Sequence, residues 1–173
     1  MMNFLITGKV NSGKSTLVHR LVEKADFTCG GVISLPVFEN GIKAGMDALD
    51  ILTGEKKPIA RLDGIEGIKV GKYIISIQGL EHGKNAIIKA IGDCDAIIID
   101  EFGHLEMKGM GMAEAAEKAI EGGNAVVVLR RSLKKEFMEK HGGHEFVVID
   151  SGSISPDELA DIIKEWLGHN RKL

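Results

Sequence analysis

Residues 4–18 read FLITGKVNSGKSTLV, an apolar run that breaks into a glycine-containing loop and then becomes a helix-forming run. Gly8, Gly13, Lys14 and Ser15 fit the pattern G-x-x-x-x-G-K-[ST]. Glycines permit a tight turn whose backbone N–H groups point inwards at an anion, and the positive end of the following helix adds to that field. The order strand, loop and helix therefore predicts an α/β fold with a phosphate-binding loop.

The loop supplies the first set of candidate binding residues. Lys14 carries a mobile charge suited to the β- and γ-phosphates of a nucleotide, and the Ser15 hydroxyl is placed to bind Mg²⁺. The alternative is a glycine-rich turn with a solvated lysine, which the apolar run before the loop and the helical run after it disfavour. The predicted phosphate-binding residues are Gly8, Lys9, Val10, Asn11, Ser12, Gly13, Lys14, Ser15 and Thr16.

A second candidate element is the segment DAIIIDEFG at residues 95–103. Asp100 follows an apolar run that predicts a buried strand, and at the strand end its carboxylate can hold Mg²⁺, usually through water. Glu101 comes next and can polarise an attacking water as a general base. Phe102 and Gly103 complete the nucleotide-binding set predicted here. The alternative is that these acidic residues simply end a strand and have no role in binding. The phosphate loop in the same chain makes that alternative less favoured.

Residues 100–103 also fit D-x-x-G, the switch pattern of GTPases. A GTPase is expected to carry an Asn-Lys-x-Asp motif that reads guanine, and the sequence contains none. Glu101, directly after the aspartate, instead favours the phosphate-loop hydrolases that use a glutamate at a strand end.

Away from these segments, short apolar runs alternate with helical patterns, which is typical of a mainly parallel sheet flanked by helices. The chain is long enough for one compact domain, so we expect a single α/β phosphate-loop domain over residues 1–173. Strands are predicted at residues 3–7, 29–37, 42–52, 71–79, 96–99, 125–129 and 145–149, and helices at residues 15–22, 80–91, 112–120, 132–140 and 156–167.

An antiparallel hairpin is expected as an insertion in that sheet. Its strands are residues 29–37 and 42–52, because Asn40-Gly41 between them is a strong hairpin-turn dipeptide. Residues 53–64, TGEKKPIARLDG, read as a turn-rich segment without a strand.

The last helix has the clearest end signals in the sequence. Ser155 and Glu158 have the spacing of a capping box, and Pro156 stands at the first helical position. Gly168 is expected to follow the end of this helix.

Composition excludes several classes of protein. The net charge of −3 gives no general attraction to nucleic acid or to an anionic membrane. No apolar run has the length of a membrane span, and the first residues do not resemble a signal peptide. Cys29 and Cys94 lack a metal-type spacing, so a reduced, cytoplasmic protein is expected. The oligomeric state is left open.

Further segments occur in a characteristic order: GGVIS at 30–34, TGEKKPIAR at 53–61, GKY at 71–73, DEFGHLEMKG at 100–109 and LRRSL at 129–133. Together with TGKVNSGKSTL they make the chain resemble the small nucleoside-triphosphatases first described from thermophiles, also called cancer-related nucleoside-triphosphatases. The resemblance implies a central sheet with flanking helices. It also implies hydrolysis of a nucleoside triphosphate, such as ATP or GTP, to the diphosphate and phosphate, with Mg²⁺ and broad base tolerance.

Arg130 and Arg131 follow the apolar run 125–129, and strand ends in such sheets face the ligand crevice. An arginine there can neutralise charge that develops on the γ-phosphate, and the resemblance favours Arg130 for this role. The alternative is a solvated basic start of the next helix. The expected catalytic residues are thus Lys14, Glu101 and Arg130.

The resemblance also covers residues whose roles the sequence leaves open. Glu106 is expected to order the loop after Asp100, to contact the nucleotide or to lie at the surface, while Lys72 and Tyr73 match family positions without an assigned role. Asn11 and Lys43 depart from the pattern and are positions where base preference or rate can differ.

Two other functions stay open at this point. A phosphotransferase can use the same loop and acids, with a small hydroxyl substrate in place of water. A nucleotide-regulated binding module can use slow hydrolysis as a timer, with the region 31–61 as its partner surface.

Overall fold

The computed structural model describes residues 2–170, and all nine strands among them join one sheet. The strands are β1 Met2–Gly8, β2 Cys29–Glu39, β3 Ile42–Asp50, β4 Lys56–Arg61, β5 Ile68–Val70, β6 Tyr73–Ile75, β7 Ala96–Ile99, β8 Ala125–Arg130 and β9 Glu145–Asp150. The helices are α1 Lys14–Lys24, α2 Ile77–Ala90, α3 His104–Met107, α4 Ala113–Gly122, α5 Lys134–Lys140 and α6 Pro156–Asn170. A single 3₁₀ turn, Arg131–Leu133, joins β8 to α5.

The sheet has a parallel half and an antiparallel half. β2, β7, β8, β1 and β9 lie side by side in that order, all parallel. β3, β4, β6 and β5 continue the sheet outwards from β2 in antiparallel pairs. The predicted α/β class with a parallel core is confirmed. The antiparallel part extends well beyond the hairpin that the sequence predicts.

Helices cover both faces of the sheet, so the described residues form two apolar layers. α2, α4 and α5 enclose one layer, and α1 and α6 enclose the other. Side chains alternate along β7, so that Ile97 and Ile99 enter the first layer and Ile98 enters the second. The continuous apolar run that marked this strand in the sequence is therefore explained by burial on both faces. No helix among the described residues is long and apolar enough to span a bilayer.

The hairpin turn forms where the sequence predicts it. Asn40 and Gly41 have φ angles of 50° and 78°, the left-handed pair that a tight hairpin turn requires. β2 and β3 pair on either side of them in antiparallel register.

Two segments differ from their predictions. The turn-rich segment 53–64 contains the strand β4, because Ile59 and Ala60 are buried and the segment pairs with β3 despite Pro58. The strand predicted at 71–79 contains only the short β6, since α2 begins at once behind it. The Ser76 hydroxyl caps α2 by accepting a 3.0 Å hydrogen bond from the Gly79 N–H.

The start of α6 follows its prediction and its end does not. Ser155 N–H donates to the Glu158 carboxylate at 2.8 Å, and Glu158 N–H donates to the Ser155 hydroxyl at 3.2 Å, which confirms the capping box. The helix runs past Gly168 to Asn170, since a glycine inside a helix costs about 1 kcal/mol relative to alanine and does not by itself end the helix. The strand β5 and the short helix α3 had no counterpart in the sequence prediction.

Asn3 is a testable anchor of the parallel half. Its buried side-chain amide donates to Ile120 O and accepts from Ala125 N–H, both at 3.0 Å, and so joins β1 to the connection between α4 and β8. Asn3→Ala leaves the buried Ala125 N–H without its partner and removes one of two donors to Ile120 O, which keeps the Gly123 N–H. The free energy of unfolding should therefore fall by about 1 to 3 kcal/mol in urea titrations. Asn85→Ala, at an exposed position of α2, is the control and should lower it little. Equal stability of the two variants would contradict this role.

Candidate active site

The phosphate loop lies between β1 and α1, at the C-terminal edge of the parallel strands. Asn11 and Gly13 adopt left-handed φ angles of 58° and 80°, which gives the loop its tight turn. Gly13 precedes the first residue of α1, and no side chain among residues 2–168 caps this helix. The N–H groups of its first turn are thus available to an anion.

Lys14 folds back across the loop. Its Nζ donates to Lys9 O at 2.6 Å and lies 3.4 Å from Gly8 O. Partial burial holds the pKa of Lys14 below its ordinary value; the Glu101 and Asp100 carboxylates oppose this shift, and the positive charge of Arg130 adds to it. The loop lysine, both acids and Arg130 are therefore close enough to interact electrostatically.

Ser151 is a contact of the loop that sequence reasoning missed. Its hydroxyl lies 3.1 Å from the Ser12 hydroxyl, and its N–H donates to Thr7 O at 2.8 Å. A Cβ on Gly8 would lie 2.3 Å from the Ser151 oxygen, so only glycine fits there without a shift. The sequence gives no signal for this contact, because Ser151 reaches the loop only through the pairing of β9 with β1.

Asp100 is fully buried at the end of β7. Its Oδ2 accepts a 3.0 Å hydrogen bond from the Ser34 N–H of β2, while its Oδ1 has no hydrogen-bond partner among the described residues. Burial, followed by the charge of Glu101, raises the pKa of Asp100 to about 7; the Ser15 hydroxyl and the N–H groups of Ser34 and Glu101 oppose that rise. A buried carboxylate with one unsatisfied oxygen beside a hydroxyl fits a hydrated cation.

Glu101 lies in a left-handed conformation, with φ of 62°, that non-glycine residues rarely adopt. Such strain is common where a side chain must be aimed at a reacting group. Glu101 borders a cavity of about 340 Å³ together with Asn11, Ser12, Gly13, Lys14, Ser15, Thr16, Ser34, Pro36, Phe38, Lys43 and Met46. The cavity thus has the phosphate loop on one side and the β2–β3 hairpin on the other.

Phe102 and Gly103 do not border this cavity, so their binding of the nucleotide stays a prediction. The Phe102 ring is buried against Phe137, with 5.2 Å between ring centroids, because its side chain turns into the core layer under α5. Gly103 precedes α3, and its N–H donates to the Glu106 carboxylate at 3.0 Å.

Glu106 orders the segment after Asp100, one of the roles that the sequence left open. It is buried, and its second carboxylate oxygen accepts from the Met112 N–H at 3.2 Å. Lys72 and Tyr73 lie at β6 in the antiparallel half, where the lysine Nζ is 5.1 Å from the tyrosine ring centroid. His104 is exposed at the start of α3 and does not border the cavity.

The two arginines after β8 have different surroundings. Arg131 forms an ion pair with Asp150 at the end of β9. Arg130 is in register with Gly8 at the start of the loop, and it forms no ion pair in the part of the chain that the structure describes. Arg130 is therefore the arginine available to a ligand at the loop.

The described residues contain no cluster of three or more His, Cys, Asp or Glu side chains that can hold a metal ion.

A strand, glycine-rich loop and helix beside a buried strand-end aspartate define the class: an α/β phosphate-loop protein. A family model described as NTPase matches residues 3–160, so the chain belongs to the NTPase family of enzymes. Nucleoside-triphosphatase THEP1 of Methanosarcina acetivorans is 31% identical over 170 residues, which cover 94% of this chain and 95% of the relative. The protein of the same name from Thermotoga sp. is 32% identical over 172 residues, 98% of each chain. The resemblance read from the sequence is confirmed.

Two solved structures share the fold. THEP1 from Aquifex aeolicus aligns with a TM-score of 0.71 at 23% identity, covering 96% of this chain and 98% of that one. A human cancer-related nucleoside triphosphatase aligns with a TM-score of 0.66 at 18% identity, covering 96% and 97%. At these identities the two likenesses support the fold.

The free arginine gives a prediction about rate. Arg130→Ala should lower kcat for phosphate release by about 10³-fold and weaken nucleotide binding less, because a guanidinium meets more charge in the transition state than in the bound substrate. Arg131→Ala is the matched control, since Arg131 is paired with Asp150, and it should change kcat little. Steady-state kinetics with a binding titration test this, and small, equal effects of both variants would contradict it.

Proposed function

We propose that this protein hydrolyses nucleoside 5′-triphosphates, among them ATP and GTP, to the diphosphate and phosphate in a Mg²⁺-dependent reaction. The observation that carries the proposal is that Lys14, Ser15 and Glu101 line one cavity, with the Asp100 carboxylate buried beside them. The family and the names of the relatives support the same activity.

The phosphate chain would lie along the loop residues 8–16, with the Lys14 ammonium on its β- and γ-phosphates. Ser15 and Asp100 would hold Mg²⁺, Ser15 through its hydroxyl and Asp100 through the oxygen that lacks a protein partner. When bound there, Mg²⁺ would supply positive charge that offsets the negative charge of the phosphates. The loop and the lysine thereby fix the γ-phosphate in one orientation, which accounts for much of the rate in phosphoryl transfer.

Glu101 is the group that would act on the nucleophile. Its carboxylate borders the same cavity as the loop, so it can accept a proton from a water in line with the γ-phosphate. Arg130 would approach from the end of β8 and stabilise the charge that the γ-phosphate oxygens gain as the bond to the leaving diphosphate breaks.

Several statements made from the sequence stay predictions. These are broad base tolerance, one domain over residues 1–173, a cytoplasmic location and the absence of nucleic-acid and membrane partners.

Phosphate release from ATP, GTP, CTP and UTP, each with and without Mg²⁺, tests the proposal. Release from several nucleotides that requires Mg²⁺ and no added acceptor is the expected result. Transfer of labelled phosphate to a metabolite would instead indicate a phosphotransferase. Hydrolysis that appears only with a partner protein would indicate a nucleotide-regulated binding module.

The loop lysine gives the first prediction. Lys14→Ala should abolish turnover and weaken triphosphate binding, because it removes the charge that faces the β- and γ-phosphates. Lys24→Ala, at the other end of α1, is the control and should keep parental activity. Unchanged phosphate release by folded Lys14→Ala protein would contradict the assignment of the whole site.

The strand-end glutamate gives the second prediction. Glu101→Gln keeps the shape of the side chain and removes its basicity, so hydrolysis should fall by about 10²-fold or more while ATP still binds. Single-turnover phosphate release and an ATP titration measure the two effects separately. A variant with the parental rate would show that the base is another residue.

A further inference from the structure

The β2–β3 hairpin extends past the end of the parallel sheet. β2 pairs with β7 only as far as Val32 opposite Ile99, and from Ile33 to Glu39 it pairs with β3 alone. The hairpin therefore projects beyond the strand end where Asp100 and Glu101 lie. Alternate residues of β2, namely Ser34, Pro36 and Phe38, share one face and border the cavity opposite the phosphate loop.

A bulge in β3 changes which side chains reach that cavity. The register passes from Val37 opposite Gly45 to Phe38 opposite Lys43, so Ala44 is an extra residue without a partner on β2. In a regular strand Lys43 and Met46, at an odd separation, would point to opposite faces. The extra residue turns Lys43 onto the face of Met46, and both border the cavity.

Lys43 has no ion-pair or hydrogen-bond partner among the residues that the structure describes. Lys43 makes no hydrogen bond or ion pair within residues 2–168, although Glu101 borders the same cavity. Ala44, by contrast, is buried. The local backbone is thus arranged to bury the small residue and to present the ammonium group towards the phosphate loop.

We propose that Lys43 binds the γ-phosphate of a bound nucleoside triphosphate from the side opposite the loop. The inference rests on the proposed function, which sets the γ-phosphate between Lys14 and Glu101. In an in-line displacement the nucleophile approaches from the side away from the leaving diphosphate, and here that side is bordered by Glu101 and the hairpin. Lys43 contacts an equatorial oxygen and stabilises the charge spread over the three oxygens in the transition state.

The rest of the hairpin wall strengthens such a contact. Pro36, Phe38 and Met46 are apolar and border the same cavity as Lys43. An ammonium beside apolar groups interacts more strongly with an anion than one surrounded by water. A nucleoside diphosphate lacks the phosphate that Lys43 contacts, so Lys43 also distinguishes substrate from product.

Lys43→Met tests the contact through binding and rate together. Affinities for ADP and for the non-hydrolysable imido analogue of ATP are measured by calorimetry with Mg²⁺. The variant should bind ADP as the parent does and the triphosphate analogue about tenfold or more weakly, the loss expected for one hydrogen bond between charged groups. kcat should fall by at least the same factor, and Lys43→Arg should restore part of both.

A double variant provides a control of equal composition and charge. Ile42→Lys combined with Lys43→Ile moves the ammonium by one residue and so to the other face of β3. It should lose triphosphate selectivity to the same extent as Lys43→Met. Parental selectivity and rate in either Lys43→Met or the double variant would overturn the inference.

The binding measurement separates this inference from the proposed function. If the parent protein releases no phosphate but Lys43→Met still loses its preference for the triphosphate analogue over ADP, the hydrolase proposal is wrong and the role of Lys43 stands. If the parent hydrolyses triphosphates and Lys43→Met keeps both selectivity and rate, the role of Lys43 is wrong and the hydrolase proposal stands.

Discussion

The buried carboxylate of Asp100 connects the parts of the site. Through Oδ2 it accepts from the Ser34 N–H, which fixes the hairpin strand β2 to the end of β7 just where the hairpin leaves the parallel sheet. Its other oxygen has no partner among the described residues, and burial raises the pKa of the group to about 7. A carboxylate in this position is costly to ionise unless a cation joins it. The bond from Ser34 thus positions the cavity wall and leaves the other carboxylate oxygen for the cation of the proposed reaction.

Two of the residues that border the cavity have unfavourable backbone conformations. Asn11 in the phosphate loop and Glu101 at the strand end both have positive φ, and both border it. The third such non-glycine residue, Asn40, lies at the hairpin tip, where the tight turn requires it. Asn11 and Glu101 do not lie in a hairpin turn. Strained conformations of this kind persist where the surrounding structure holds them in place, and they are common at functional sites. The phosphate loop and the candidate base are therefore set before a ligand arrives.

The sequence predicted what is local and missed what depends on pairing. Lys14, Ser15, Asp100 and Glu101 could be proposed from the sequence because each motif is contiguous and its chemistry requires those residue types. β4 and β5 were missed because each becomes a strand through pairing, β4 with β3 and β5 with β6, and their local sequence gives no clear strand pattern. Ser151 reaches the loop through the neighbouring strand β9, and no short motif encodes that contact. Phe102 was assigned to the ligand by its place in a motif, while its ring packs in the core.

The cavity wall also bears on the choice between hydrolysis and phosphoryl transfer to an acceptor. A site that selects a hydroxyl substrate needs hydrogen-bonding groups that hold the acceptor in place and are left unpaired without it. On the hairpin side of this cavity the described bordering residues are Ser34, Pro36, Phe38, Lys43 and Met46. The backbone N–H of Ser34 already donates to Asp100, and Lys43 faces the phosphates in our inference. Pro36, Phe38 and Met46 are apolar, so beyond the Ser34 hydroxyl this side offers an acceptor few groups to bind. A single water held by Glu101 needs no such groups, and this favours hydrolysis.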